Sequence, residues 1–119
     1  MLFRSFDLKK LGTFPIVHGV RALALEYRLD DVSTAGRLRA LVTRNHIPQD
    51  LARDLIEALH FLMGLKLSNQ LRQKQLAQPV DNLSHLSTLG ILDRDRLKDS
   101  LVIIKRFRQH LRLHYKLDT

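Results

Sequence analysis

The chain has 119 residues, of which 45% are apolar and none is cysteine. That suffices for one hydrophobic core and excludes a disulfide framework, a thiolate metal cluster and a cysteine nucleophile. Twenty Lys and Arg against 12 Asp and Glu give a net charge of +8 and a pI near 10.5, so an anionic partner is expected.

Arginine outnumbers lysine by 13 to 7, which favours planar, bidentate recognition of phosphate or carboxylate. The longest apolar runs, such as 101–104, are far shorter than the roughly 20 residues needed to cross a bilayer. Residues 1–7 lack the apolar stretch of a secretory signal. A cytoplasmic protein without a membrane partner is expected.

Residues before Pro15 show no helical period, and Gly12-Thr13 suggests a turn, so a short non-helical arm or strand is expected there. Pro15 then opens a first helix, with Ile16, Val17, Val20, Leu23, Ala24 and Tyr27 at helical spacing to about residue 29. The polar cluster 30–34 offers Ser33 or Thr34 as the cap of a second helix, which has Leu38, Leu41 and Val42 on its inner face and ends near Asn45. Pro48 opens a third helix reaching about Ala77. Its expected buried stripe is Leu51, Leu55, Ile56, Leu59, Leu62, Met63, Leu67 and Leu71.

Residues 78–82 are the clearest breaker, and 83–92 reads as a loop or short helical turn. Asp93 is the expected cap of a last helix running to about Lys116, with Leu97, Leu101, Ile104, Phe107 or Arg108, Leu111 and Tyr115 along one side. The fold class is therefore all-α: a single domain over 1–119, built as a four-to-five-helix antiparallel bundle with a short N-terminal arm.

No Gly-rich phosphate loop, His-Glu-x-x-His or Gly-x-Ser-x-Gly element occurs. The pair Asp93-Arg-Asp95 has carboxylate spacing but sits at a helix start, where a cap and a first-turn acid account for it. His110 and His114 are one turn apart without a third ligand. Arg108-x5-His114, Arg39-x6-His46 and Arg53-x6-His60 resemble the Arg-x(4–6)-His motif of a class of helical RNases, a pattern that chance also produces at this arginine content. The segment 100–117 carries Lys105, Arg106, Arg108, Arg112 and Lys116 with no acid, either as a solvated end complementing the helix dipole or as an anion-binding face. Arg21, Lys66, Gln70 and Lys98 interrupt apolar stripes and need partners if buried.

Taken in order, 6–10 (Phe-Asp-Leu-Lys-Lys), 12–17 (Gly-Thr-Phe-Pro-Ile-Val), 21–25 (Arg-Ala-Leu-Ala-Leu), Thr34 with Arg37-Leu38, 65–70 (Leu-Lys-Leu-Ser-Asn-Gln), Asp81-Asn82 and 97–101 (Leu-Lys-Asp-Ser-Leu) resemble the bacterial nucleotidyltransferase substrate-binding domain over nearly the whole chain. That family is the C-terminal helical module of signal-transduction proteins that also carry a nucleotidyltransferase domain, CBS domains and often a cyclic-nucleotide-binding domain. The resemblance implies a non-enzymatic module of a larger multidomain protein, packed in cis against an upstream catalytic domain. Mg and a nucleoside triphosphate would be cofactors of the full-length enzyme, and none belongs to this piece.

Carried over position by position, the resemblance points to Lys9, Lys10, Arg21, Arg37, Lys66, Gln70, Asn82 and Lys98 as substrate-binding residues, for a nucleotide or an acidic protein acceptor. Lys66 stands where the family commonly has arginine, which removes bidentate pairing at that point. Two readings compete: an autonomous nucleic-acid-binding helical domain, not favoured because aromatics are scarce on the basic helix, and the helical RNase. An oligomer is compatible with either.

Overall fold

The computed structural model describes residues 5–80, 83–85 and 89–116. Among these residues, four α-helices make up the bundle: α1 Phe14–Glu26, α2 Thr34–Thr43, α3 Gln49–Gln75 and α4 Ile91–Tyr115. The fold is all-α. One short ribbon accompanies the helices: β1 Ser5–Asp7 pairs antiparallel with β2 Leu83–His85, with Phe6 opposite Ser84. The expected loop or helical turn over 83–92 is thus extended at its start, because its backbone pairs with a strand some 80 positions earlier, which no local propensity could reveal. Residues 86–88 lie outside the described set.

Among the described residues, the expected non-helical arm is confined to β1. A π-helical turn, Lys9–Thr13, follows it and runs directly into α1, so Pro15 occupies a first-turn position of a continuous helical path. The turn starts under control of Asp7, whose Oδ1 accepts hydrogen bonds from the backbone N–H of Lys9 at 3.0 Å and of Lys10 at 2.9 Å.

Each of the first three helices ends by the same device. The amide of Leu29 bonds Ala24 O, that of His46 bonds Leu41 O and that of Gln78 bonds Gln73 O, with Arg28, Asn45 and Ala77 held at φ of 56°, 61° and 56°. These are Schellman closures, and they stop α1 and α3 before the residues 29 and 77 expected from the apolar period. At the other end of α2, Ser33 rather than Thr34 is the cap, its Oγ accepting from the Gly36 amide at 3.0 Å. Asp93 does not cap α4. Gly90 holds that position, and Asp93 sits in the first turn, where its charge faces the positive end of the helix.

The core gathers Ile16, Val20 and Leu23 of α1, Leu38 and Leu41 of α2, Leu51, Leu55 and Leu62 of α3, and Leu97, Ile104 and Phe107 of α4. Leu8, fully buried, closes it from the arm. The side chains that meet fix the helix directions. Asp50 reaches Arg106 while Phe61 reaches Arg96, so α3 and α4 are antiparallel; Gly19 meets Phe107 while Glu26 meets His114, so α1 runs parallel to α4.

The α3 stripe departs from expectation beyond Leu62. Met63, Leu67 and Leu71 are 55%, 58% and 53% exposed, and the inward line continues instead through the buried polar residues Asn69 and Gln73. Seven-residue steps from Leu55 to Leu62 to Asn69 keep one face inward, so Met63, Leu67 and Leu71 are carried to the flank. The side chains expected inside apolar stripes also separate: Arg21 and Lys98 are exposed, whereas Lys66 and Gln70 are half-buried. For Arg21 the reason is that the line from half-buried Val17 turns outward at Arg21 and Leu25, leaving Leu25 69% exposed.

Candidate functional site: a cationic groove with an apolar floor

A groove of about 320 Å³ lies between the π-helical turn, the first turns of α1 and the middle of α3. Its position follows from a close approach. A Cβ on Gly12 would stand 3.1 Å from Leu62 Cδ1, so the turn presses against α3 and sets Lys9 and Thr13 across from Lys66 and Gln70.

Phe14, Val17, Leu59, Met63 and Leu67 supply apolar walls. Lys9 Nζ stands 4.9 Å from the Phe14 ring centroid, and the His18 ring meets Phe14 edge-on at 4.6 Å. The cation and the two rings restrain one another's rotamers, which preorganises this wall. Lys9 and Lys66 bring positive charge to the two sides of an apolar floor. That arrangement suits a ligand with an anionic end and a flat, weakly polar body, the division of labour usual in small-molecule sites.

Three of the eight sequence-derived site residues, Lys9, Lys66 and Gln70, therefore converge. The others do not line this groove. Arg21 follows His18 by three positions on the same exposed face of α1, beyond the groove's end. Lys10, in the π-helical turn, is exposed and points away from this groove's lining. Arg37 donates from Nε to Asp31 O at 2.8 Å, fastening the loop before α2. Lys98 is on the exposed flank of α4, and Asn82 lies outside the described residues. Sequence reasoning passed over Phe14, His18 and Met63; the four-residue step from Phe14 to His18 beside Pro15 was the available signal.

Charge is segregated around α4. On its α3 side, Asp54, Glu57 and Asp99 line a groove of about 280 Å³, with the Arg96 guanidinium 5.2 Å from the Phe61 ring centroid. On the other side, Lys105, Arg108 and Arg112 line a groove of about 430 Å³ closed by Leu11 of the π-helical turn. Arg108 and His114 consequently face different neighbours, since His114 Nε2 lies 2.8 Å from Glu26 Oε1, and they do not share a face as an RNase pair would require. Around His114 a ring cluster closes the end of the bundle. Tyr27 stacks on His46 at 3.5 Å, its hydroxyl is 3.3 Å from His114 Nε2, and Tyr115 meets His114 edge-on at 4.7 Å. Burial pushes the Tyr115 phenol up to about 12, and the His114 hydrogen bond holds the Glu26 carboxyl below its usual value.

The sequence pattern of the family described as "Putative nucleotidyltransferase substrate binding domain" matches residues 3–115. The chain belongs to this family. The match takes in the π-helical turn and all four helices, and so both walls of the cationic groove. No curated protein and no solved structure matches the chain. Among the described residues no helix is long and apolar enough to cross a membrane, and no group of three or more His, Asp or Glu side chains could hold a metal ion.

Proposed function

We propose that this chain is the non-catalytic substrate-binding module of a nucleotidyltransferase working in signal transduction, and that the groove between the π-helical turn and α3 receives the nucleotide. The observation that carries the reading is the convergence of Lys9, Lys66 and Gln70 on an apolar, aromatic-walled cleft inside the matched family region. Lys9 and Lys66 bind phosphate as point charges, each able to rotate three donors toward it. Phe14 and Met63 receive the base, and Gln70 bounds the same cleft with an amide able to donate and accept. Arg21 extends the positive field along α1 toward an acidic acceptor.

The transfer chemistry belongs to a catalytic domain acting in cis, which holds Mg and completes the binding of the nucleoside triphosphate seated in this groove. The described residues here do not provide a metal-binding set, and no step of the proposal runs through a metal on this chain. Leu67 at the groove's rim and Leu71 beyond it, both exposed, give the apolar surface on which that domain docks. Docking there closes the groove from one side and lowers the dielectric around the two lysines, which strengthens their pull on phosphate.

A transfer assay with the catalytic domain in cis tests the reading. Lys66→Gln is expected to raise KM for the nucleotide at least tenfold with kcat changed less than threefold, the signature of lost ground-state binding. Unchanged KM would remove Lys66 from the site.

A further inference from the structure

Lys105, Arg108 and Arg112 stand on one side of α4 at positions i, i+3 and i+7. Among the described residues no side chain of the three has a hydrogen bond or an ion pair, whereas Arg106, on the neighbouring face, bonds Asp50 at 3.0 Å. Like charges one turn apart repel by a few tenths of a kcal/mol per pair, and no acid follows Asp99 in α4 to offset this. Complementing the helix dipole accounts for Arg112 in the last turn but not for Lys105, more than two turns from the end. The line also extends backwards, since Lys98 precedes Lys105 by seven residues and so lies on the same side.

These cations border a concavity rather than a flat face. Leu11, exposed on the π-helical turn, forms the opposite rim, and Leu101 and Ile104 form the floor. Successive cations at i and i+4 rise about 6 Å along the helix axis, comparable to the spacing of phosphates in an extended nucleic-acid strand. A continuous positive track holds a strand by its phosphates alone, without reading its bases and without the aromatic platforms on which bases would stack. Leu11 opposite the cations makes the track a cleft lined on two sides, which suits a single strand better than a flat bilayer.

We propose that the groove between Leu11 and the C-terminal half of α4 binds the phosphodiester backbone of a single-stranded nucleic acid, independently of the nucleotide groove. Arg108 and Arg112 fork onto successive phosphates, Lys105 neutralises a third, and Leu11 and Leu101 lie under the sugars and base edges. No aromatic side chain lines the groove, so base stacking contributes nothing and RNA and DNA bind alike.

The experiment is fluorescence anisotropy with labelled oligo(U) and oligo(dT) 15-mers, titrated with the whole chain at 50 and 200 mM KCl. Three neutralised phosphates give a slope of log K against log salt of about −2, hence an affinity loss of roughly 15- to 20-fold between the two salts. Arg108→Gln/Arg112→Gln should weaken binding at least tenfold at the lower salt and reduce the slope by about 1.4. Lys105→Gln, at an exposed position, should reduce it by about 0.7 and serves as the check should the double variant melt early. Lys9→Gln/Lys66→Gln should leave oligonucleotide affinity within twofold, which separates this site from the nucleotide groove. The proposal is overturned by no binding at 50 mM, by equal salt slopes in parent and Arg108/Arg112 variant, by loss of binding in the Lys9/Lys66 variant, or by a more than tenfold preference for one sugar. Capture by phosphatidylserine vesicles without oligonucleotide binding would overturn it as well.

Discussion

The Glu26 carboxylate stands 2.8 Å from the Nε2 of His114, tying the last residue of α1 to the final turn of α4. The tie sits on a ring stack, since Tyr27, next in sequence to Glu26, lies flat on His46 of the α2 to α3 turn. Three inter-helix junctions thus meet at one end of the bundle, and their titrating groups make that end sensitive to pH.

Acid should loosen this end in two stages. Burial holds His110 below its usual 6.5, so the unfolded chain takes up its proton first; the stability from this group is complete above about 6.5 and is lost as pH falls toward the folded value. Glu26 is held low chiefly by its His114 hydrogen bond, so its contribution is present above about 4.5 and is lost as pH falls further. Melting temperatures measured from pH 8 to pH 3 should fall in both windows, and Glu26→Gln should flatten the lower one alone. A lower-window slope unchanged in Glu26→Gln would contradict the assignment.

Alkaline titration reads the same cluster from the other side. The chain has two tyrosines, Tyr27 raised above 10 by burial and the Glu26 charge, and Tyr115 raised to about 12. Stability from Tyr115 is therefore complete below pH 10 and declines as pH climbs through 12. Absorbance at the tyrosinate band should show little ionisation at pH 10, where free tyrosine is half ionised. Half-ionisation at pH 10 in the folded chain would contradict the burial.

Two glycines should respond to alanine with opposite signs. A Cβ on Gly19 would lie 2.6 Å from Phe107 Cε2 and 2.8 Å from Leu111 Cδ1, so Gly19→Ala should prise α1 from α4 and cost about 1 to 3 kcal/mol. Gly64, inside α3, has no atom within 4 Å of the same construction, and Gly64→Ala should stabilise by about 0.5 to 1 kcal/mol through helix entropy. Denaturant midpoints at constant m-value decide both.

The helix ends show where the chain could be read and where it could not. Ser33 and Pro48 announce the starts of α2 and α3 because a capping hydroxyl and the fixed φ of proline are local signals. Of the Schellman stops, Asn45 is a residue that favours the left-handed region, whereas Arg28 and Ala77 are forced there by the 6→1 bonds around them and carry no sequence mark. The π-helical turn has no propensity signature, and the β1 to β2 pairing depends on chain distance. For the site, the interruption of the α3 stripe at Lys66 and Gln70 was legible; its meeting with Lys9 depended on the Gly12 contact with Leu62, a tertiary fact. Arg21 and Lys98 broke stripes on faces that turn out to be solvated, so the same pattern carried no information there.

Calorimetric titration of the chain with each ribonucleoside triphosphate tests the central claim, that Lys9 and Lys66 form a nucleotide groove, most directly. Saturable binding is expected, weakened at least tenfold in Lys9→Gln/Lys66→Gln and changed less than twofold in Arg108→Gln/Arg112→Gln. Binding equal in the parent and the Lys9/Lys66 variant, or no binding by the folded parent, would contradict the account.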